Sequence, residues 1–160
     1  MKIAVISDLH DNLHALEKFL KRTEGEKVDL VIHCGDFVSP FSVKYLLGNL
    51  KCDFFGVFGN NDGELLGLTK ASGGLIEKPP VSKLIDSQRF AVMHEPLFVD
   101  SLAKSGDFDF ILYGHTHEVD LRVINGCQII NPGELCGYLT GRSTFVILDT
   151  EKPTLDLIEV

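Results

Sequence analysis

The chain has 160 residues, and its 15 lysines and arginines against 23 aspartates and glutamates give a formal net charge of −8. This length predicts one compact domain over residues 1–160 with a sizeable buried core, and an apolar fraction of 44% argues against intrinsic disorder. The acidic balance, without any basic run, argues against extended nucleic acid as a partner. The first apolar run meets a charge at Asp8, too early for a signal sequence or a membrane span, so no membrane partner is expected.

The cysteine pattern is typical of a reducing compartment. The four cysteines, at positions 34, 52, 127 and 136, include no Cys-x-x-Cys pair, and their spacing matches neither a zinc ribbon nor a small disulfide scaffold. We therefore expect buried, reduced thiols and a cytoplasmic location.

The first half of the chain alternates between strand and helix patterns. Short β-branched apolar runs predict strands buried on both faces at residues 2–7, 28–33 and 53–58. Helices with N-terminal caps at Asn12, Ser39 and Asp62 are predicted over residues 13–22, 40–47 and 64–71. Three strand–helix units in succession predict right-handed crossovers and a parallel sheet.

Beyond Gly73-Gly74 and Pro79-Pro80 the pattern changes to mostly strands. A hairpin with a four-residue connection at 86–89 and a short helix at 97–104 are predicted first. The Asn125-Gly126 pair indicates a two-residue hairpin turn. The strands predicted in this half cover residues 81–85, 90–94, 108–113, 119–124, 127–130, 143–148 and 155–160. This many strands favours two sheets packed together with helices outside.

Polar residues follow five of the predicted strands, at the end where each strand finishes. In open α/β sheets the ligand crevice lies outside the carboxyl ends of the strands, so we expect these clusters to converge on one place. The candidate ligands that they contribute are Asp8, His10, Asp36, Asn60, His94, His115 and His117.

These seven side chains offer carboxylate and amide oxygens and imidazole nitrogens, a mixture that suits Mn, Fe, Zn or Co better than calcium. Seven donors exceed one tetrahedral site, and they suit two metals that keep open positions for water and substrate. Asp36, on the middle strand, is the best placed carboxylate to bridge the pair.

Each candidate also has an ordinary structural role when taken alone. A strand-end Asp8 is typical of a helix cap, Asn60 of a turn, and His94 of a satisfied core histidine. Four of the six histidines lie in these clusters, however, which favours a shared site. The other two are interpreted structurally, His14 on the solvent face of the first helix and His33 at the end of a buried strand.

The order of these motifs resembles that of the calcineurin-like metallophosphoesterase superfamily, and more closely its small single-domain phosphodiesterase branch in bacteria and archaea. The likeness extends over essentially the whole chain. It implies an α/β fold in which two mixed sheets and outer helices form a four-layer α/β/β/α sandwich, a single metallophosphoesterase domain over residues 1–160. The motifs that carry the resemblance are Asp8-x-His10, Gly35-Asp36, Gly59-Asn60-x-Asp62, His94, Gly114-His115-x-His117 and Asn131-Pro132-Gly133-Glu134.

The resemblance also implies a role for each candidate ligand. Two divalent ions per chain are expected, Mn²⁺ first, with Ni²⁺, Co²⁺, Fe²⁺ and Zn²⁺ as alternatives. The implied ligand sets are Asp8, His10 and His117 for one ion, Asp36 as the bridge, and Asn60, His94 and His115 for the other. The residues expected at the reacting phosphoryl group are Asp36, Asn60, His94 and His115.

Two positions depart from the broader family pattern. Asn61 stands where larger relatives have a histidine that is believed to protonate the leaving group, and a neutral amide cannot act as a general acid. The small branch commonly lacks that histidine as well. Glu95 follows His94 where a glycine is common, and its carboxylate is expected to narrow the pocket or repel a dianionic phosphate.

The function predicted from these residues is hydrolysis of a small phosphodiester by a metal-bridging hydroxide. Two alternatives stay open at this point: a non-catalytic scaffold built on the same sandwich, and a nuclease that acts with a partner. The presence of all seven donors favours the enzyme over the scaffold. A homo-oligomer is also left open.

Overall fold

The computed structural model describes residues 1–152 and 154–160, which form four helices and eleven strands. The helices are α1 (Leu13–Glu26), α2 (Pro40–Asn49), α3 (Leu65–Ser72) and α4 (Val99–Ser105). The strands are β1 (Lys2–Ile6), β2 (Leu30–His33), β3 (Asp53–Val57), β4 (Ile76–Glu77), β5 (Val81–Ile85), β6 (Gln88–Val92), β7 (Phe110–Leu112), β8 (Val119–Ile124), β9 (Cys127–Pro132), β10 (Thr144–Asp149) and β11 (Thr154–Glu159). None of the described helices is long and apolar enough to cross a membrane.

The first sheet has six strands in the order β11-β10-β1-β2-β3-β4. Strands β1 to β4 run parallel because α1, α2 and α3 cross over between them, whereas β10 and β11 add an antiparallel edge. The three helices pack on one face of this sheet, where Phe19, Leu46 and Leu68 are fully buried. The predicted parallel strand–helix units are therefore confirmed.

The second sheet has five strands in the order β5-β6-β7-β9-β8. Its three central strands are parallel, and an antiparallel hairpin closes each edge. Phe90 and Ile130 on its inner face pack against Val5 of the first sheet, while α4 covers the outer face through Val99 and Ala103. The layers follow in the order helix, sheet, sheet, helix, so the predicted four-layer sandwich of two mixed sheets is confirmed.

Of the predicted side-chain caps at Asn12 and Asp62, the structure confirms only the first. The side chain of Asn12 caps α1 by accepting a hydrogen bond from the Ala15 amide at 3.1 Å, and the helix continues to Glu26, beyond its predicted end at residue 22. The prediction that Asp62 caps α3 is wrong. Its carboxylate accepts backbone hydrogen bonds from the loops after β2 and β3 instead.

Four smaller features concern two turns, one helix cap and one short strand. β5 and β6 are joined by a two-residue turn at Asp86-Ser87, both with positive φ, and not by the predicted four-residue connection. Ser39 stands at the N-cap of α2 as predicted, but its hydroxyl donates to Asp11 at 2.6 Å and not to the helix. The Asn125-Gly126 turn is confirmed. Strand β4 was not predicted, because a strand of two residues is too short to show an alternation of apolar and polar residues.

His33 is fully buried beneath the carboxyl end of β2. Its ring stacks on Phe37 with centroids 3.8 Å apart, its Nδ1 accepts the Gly35 amide at 3.1 Å, and its buried Nε2 has no partner among the described residues. Burial lowers the pKa of His33 from 6.5 to about 3, although the nearby carboxylates of Asp8 and Asp36 oppose this shift. The His33 ring is therefore neutral in the folded protein at neutral pH, because burial disfavours its protonated form.

This burial makes a pH-dependent contribution to stability. Because the folded pKa lies below the unfolded value, the contribution is complete above pH 6.5 and is lost as the pH falls toward 3. We expect His33→Gln to remove a slope of up to about 1.4 kcal/mol per pH unit from the free energy of unfolding. The measurement is urea unfolding of chelator-treated protein from neutral pH down to about pH 5.

His14→Gln is the matched control, because it also removes one histidine but from the exposed face of α1. The comparison of slopes, and not of absolute stabilities, cancels the contributions of other titrating groups. Parallel slopes for the wild type and His33→Gln would contradict the prediction.

Candidate metal centre

All seven predicted ligands lie at the carboxyl ends of the central strands, and their side chains form one connected cluster. The first sheet contributes ligands after β1, β2 and β3, and the second contributes them after β6 and β7. Strand β9, which runs parallel to β7, brings a sixth loop to the same edge. The members are Asp8, His10, Asp36, Asn60, His94, His115 and His117.

Asp36 lies at the centre of this cluster and is almost completely buried. Its Oδ2 is 3.4 Å from Nε2 of His10 and 3.4 Å from Nε2 of His94. Asn61 donates to it twice, from its backbone amide to Oδ1 at 2.8 Å and from its side-chain amide to Oδ2 at 2.7 Å. Burial opposes ionisation of Asp36, but the hydrogen bonds from His94 and Asn61 outweigh burial and hold its pKa below the usual range.

Asp8 provides a second buried carboxylate on the other side of His10. Its Oδ2 accepts the His115 amide at 3.1 Å, while its Oδ1 lies 3.4 Å from Nε2 of His117 and 3.8 Å from Nε2 of His10. Oδ1 of Asp8 and Nε2 of His10 are both buried without a hydrogen-bond partner among the described residues. Two facing polar atoms without partners are costly in a protein interior, and a cation held between them would satisfy both.

A second set of acceptor atoms meets around Asn60. Its Oδ1 lies 2.8 Å from Nε2 of His94 and 2.8 Å from Nδ1 of His115. His94 donates through Nδ1 to the Cys34 carbonyl at 2.8 Å, so in the neutral ring Nε2 is an acceptor. A protonated ring donates from this nitrogen, whereas a neutral ring leaves it facing two further acceptors, Oδ1 of Asn60 and Oδ2 of Asp36. A divalent metal binds the lone pairs of such hydrogen-bond acceptor atoms, so a group of them that converges on one point is a candidate metal site.

Glu134 is a buried carboxylate in the Asn131-Pro132-Gly133-Glu134 motif, and the sequence alone predicts no role for it. Its Oε2 accepts Nδ1 of His117 at 2.7 Å, and its Oε1 accepts the Leu139 amide at 2.9 Å and the Thr140 hydroxyl at 2.7 Å. Burial raises the pKa of Glu134, but these hydrogen bonds outweigh burial and lower it to about 2. A carboxylate on Nδ1 fixes the ring of His117 so that Nε2 faces Asp8.

Cys136 also belongs to this neighbourhood, although the sequence required no thiol. Its Sγ donates to Glu134 at 3.0 Å, and it lies within 4.8 Å of ligand atoms of His10 and His117. Burial and the Glu134 carboxylate raise the pKa of the Cys136 thiol to about 12. All four cysteines are free, and Cys34, Cys127 and Cys136 are buried while Cys52 is half-buried.

Asp62 fastens together the loops that carry Asp36 and Asn60. Its Oδ2 accepts the Asp36 amide at 3.2 Å and the Gly59 amide at 2.7 Å, and its Oδ1 accepts the Val38 amide at 2.7 Å. A Cβ at Gly59 would overlap the Asp36 side chain, so the close approach of the loops requires glycine there.

Backbone geometry at the strand ends is unusual for residues with side chains. Asp8, His10, Asp36, His115 and His117 all have positive φ, between 43° and 69°. Each such residue costs roughly 1–3 kcal/mol and persists only where the surroundings hold it. The sheet edge therefore turns sharply at several ligands and aims their side chains at one centre.

The charges in the cluster favour cations. Asp8, Asp36 and Glu134 are buried carboxylates that meet within one small volume. The Asp8 carboxylate, 3.8 Å from Nε2 of His10, raises the pKa of that ring, and the Asp36 carboxylate outweighs burial to raise the pKa of His94. Protons on these rings thus stand in for part of the positive charge that a metal would supply.

Comparison with known proteins agrees with this chemistry. A family model for the calcineurin-like phosphoesterase superfamily domain matches residues 1–153. Phosphodiesterase MJ0936 of Methanocaldococcus jannaschii is 40% identical over 158 residues, which cover 95% of this chain and 95% of that protein. The solved structure of an archaeal phosphodiesterase matches with a TM-score of 0.93 and 40% identity over 100% of both chains.

A more distant structure, Vps29 of Chaetomium thermophilum, matches with a TM-score of 0.73 and 19% identity over 100% of this chain and 94% of its own. At this identity the likeness is one of fold alone. The family match and the 40% identical relative both extend over nearly the whole chain. The chain therefore belongs to the calcineurin-like phosphoesterase superfamily and is a metal-dependent phosphoester hydrolase.

Proposed function

We propose that this enzyme hydrolyses a small phosphodiester at a centre that holds two divalent ions, with Mn²⁺ as the first choice. The observation that carries the proposal is the buried Asp36 carboxylate, 3.4 Å from both His10 and His94, between two groups of acceptor atoms. The name of the similar archaeal phosphodiesterase supports a diester as the substrate class.

The side chains divide naturally into two sets around Asp36. One ion would be held by Asp8, His10 and His117, where unpartnered acceptor atoms face each other. The other would be held by the set whose acceptors meet at the Asn60 amide oxygen, namely Asn60, His94 and His115. Bound ions supply a hydroxide nucleophile at neutral pH and neutralise charge on the phosphoryl oxygens.

The charge of the loaded centre would suit an anionic substrate. Two divalent ions against the carboxylates of Asp8 and Asp36 leave about +2. Glu134, which is ionised and lies behind His117, reduces this to about +1, and a bound hydroxide would bring the sum near zero. A diester anion would then be attracted by direct contact of its phosphoryl oxygens with the ions, even though the chain as a whole carries −8.

With Asn61 at this position, the enzyme would lack a general acid there for the leaving group. Its side-chain amide is used to hold Asp36 at 2.7 Å, and an amide cannot donate a proton to a leaving group. The leaving group would then depend on water, on the metals or on its own low pKa. This supports a preference for activated aryl diesters.

The two rival functions have weaker support. A non-catalytic scaffold of this fold would not need seven ligand side chains in one cluster with unpartnered buried acceptors. A nuclease would need basic contacts along a groove, and the net charge of −8 makes these scarce without a partner. We accordingly propose a small diester as the substrate, and we keep the cytoplasm as the proposed compartment because all four cysteines are free.

Metal dependence is the first test. Chelation should abolish hydrolysis of bis(p-nitrophenyl) phosphate, and re-addition of Mn²⁺, Ni²⁺, Co²⁺, Fe²⁺ or Zn²⁺ should restore it, with Mn²⁺ expected to be the most effective. Asp36→Ala and His117→Ala should each lower kcat/KM by more than about 100-fold, since a direct ligand should matter more than an outer partner. His14→Ala, on the solvent face of α1, is the matched control. Full metal-dependent activity in Asp36→Ala or His117→Ala would contradict the site.

Leaving-group dependence tests the consequence of Asn61. Across a series of methyl aryl phosphates with phenols of rising pKa, kcat should fall steeply, and an unactivated dialkyl phosphate should be turned over far more slowly than any aryl diester. Steady-state kinetics at saturating metal provide the measurement. Equal rates for alkyl and aryl diesters would mean that another group protonates the leaving oxygen.

Glu134 should act on metal binding through His117. Glu134→Gln keeps the side-chain shape but removes the charge that orients the Nδ1–H group, so the affinity for the first ion should fall by about 10- to 100-fold. Isothermal titration with Mn²⁺ measures this without reference to activity. Glu118→Gln, an exposed neighbour, should bind metal like the wild type. Unchanged affinity in folded Glu134→Gln would show that Glu134 serves stability alone.

A further inference from the structure

A pocket of about 450 Å³ opens beside the metal centre. It lies within the size range of sites that bind small molecules. Its lining comes from the loop after β3, from α3, from the segment before β5 and from the loop after β6. The pocket is therefore a cleft between the two sheets, on one side of the ligand cluster.

The pocket shares a wall with the centre. Asn60 and His94 line it, and both belong to the acceptor set proposed for the second ion. A phosphoryl group that reaches this ion would stand at the mouth of the pocket. One of the two ester groups of a bound diester would then extend into it.

The remaining walls are mostly apolar. Phe58, Pro79, Pro80 and the buried Met93 are among the lining residues. Leu65, at the start of α3, and Leu97, in the loop after β6, both line it and are 49% and 51% exposed. A single exposed leucine needs no explanation, but two that line one cleft next to a polar centre suit an apolar ligand. An aromatic ring suits this lining best, because Phe58 and the Met93 sulfur both make favourable contacts with rings.

The charges of the lining disfavour a second anionic group. Lys78 is the one cationic side chain among the lining residues, and Glu95 and Asp62 are the acidic ones. Glu95 lies directly after His94 and lines the pocket next to it. A terminal phosphate in the pocket would thus find no net positive charge, whereas an uncharged ring would bury apolar surface.

We propose that this cleft is a subsite for an uncharged aryl ester group of the substrate, bounded by Asn60 and His94 and lined by Leu65 and Leu97. The inference rests on the proposed phosphodiesterase function and specifies which diesters the centre accepts. It concerns binding of the ester group, and it is separate from the dependence on leaving-group pKa.

Binding of two phosphonates to the Mn²⁺-loaded enzyme tests the subsite, measured by titration calorimetry and by competitive inhibition. The wild type should bind phenylphosphonate at least tenfold more tightly than methylphosphonate, a difference of about 1.4 kcal/mol. Leu65→Ser/Leu97→Ser should reduce the preference to within about twofold by removing the apolar walls. Leu66→Ser is the matched control, since Leu66 follows Leu65 in α3 but is 88% exposed and is not part of the lining. Thermal unfolding verifies that all variants are folded.

The outcomes separate the two levels of the proposal. Equal affinity of the wild type for both phosphonates, or an undiminished phenyl preference in the double variant, would overturn the subsite and leave the phosphodiesterase intact. Absence of metal-dependent hydrolysis of every diester, with neither phosphonate bound, would overturn the proposed function and the subsite with it.

Discussion

The buried carboxylate of Asp36 is the constraint on which the rest of the site depends. It lies 3.4 Å from imidazole nitrogens of both His10 and His94, so it joins the ligands of the first sheet to those of the second. Such a charge is costly to bury, and the protein offsets the cost with two hydrogen bonds from Asn61 and with the clamp that Asp62 forms on the Asp36 backbone. Asn61 thus stabilises the Asp36 carboxylate, and its neutral amide cannot protonate a leaving group. The residue at this one position therefore affects both the buried carboxylate and the leaving group.

Backbone conformation and hydrogen bonds hold the ligand side chains in place without an ion. Several ligands sit in the left-handed region of backbone conformation, and Glu134 holds His117 from behind through a network that also binds Leu139 and Thr140. Strain at the sheet edge is sustained by the two packed sheets beneath it. Preorganised acceptors of this kind reduce the rearrangement that metal binding would require.

The net charge of −8 belongs to the molecule as a whole, whereas the proposed chemistry takes place at the metal centre. The acidic surface disfavours polyanions, whereas two bound ions would offer the oxygens of one phosphoryl group direct cationic contacts. The cleft lined by Leu65 and Leu97 adds a third, apolar environment beside that centre. Together these favour a small anion with an apolar substituent over a nucleic-acid chain.

The sequence by itself determined the fold class and the seven candidate ligands. Apolar runs predict where each strand ends, and parallel strands bring their carboxyl ends, with the polar residues that follow them, to one edge. It could not determine contacts that depend on how the loops meet. Asp62 looked like a helix cap and proved to be a clamp between two loops, Glu134 stood in a motif without a role, and Leu65 and Leu97, far apart in the chain, line one cleft. Only the packing of one sheet on the other decides these, since each depends on distances between residues whose sequence separation carries no local signal.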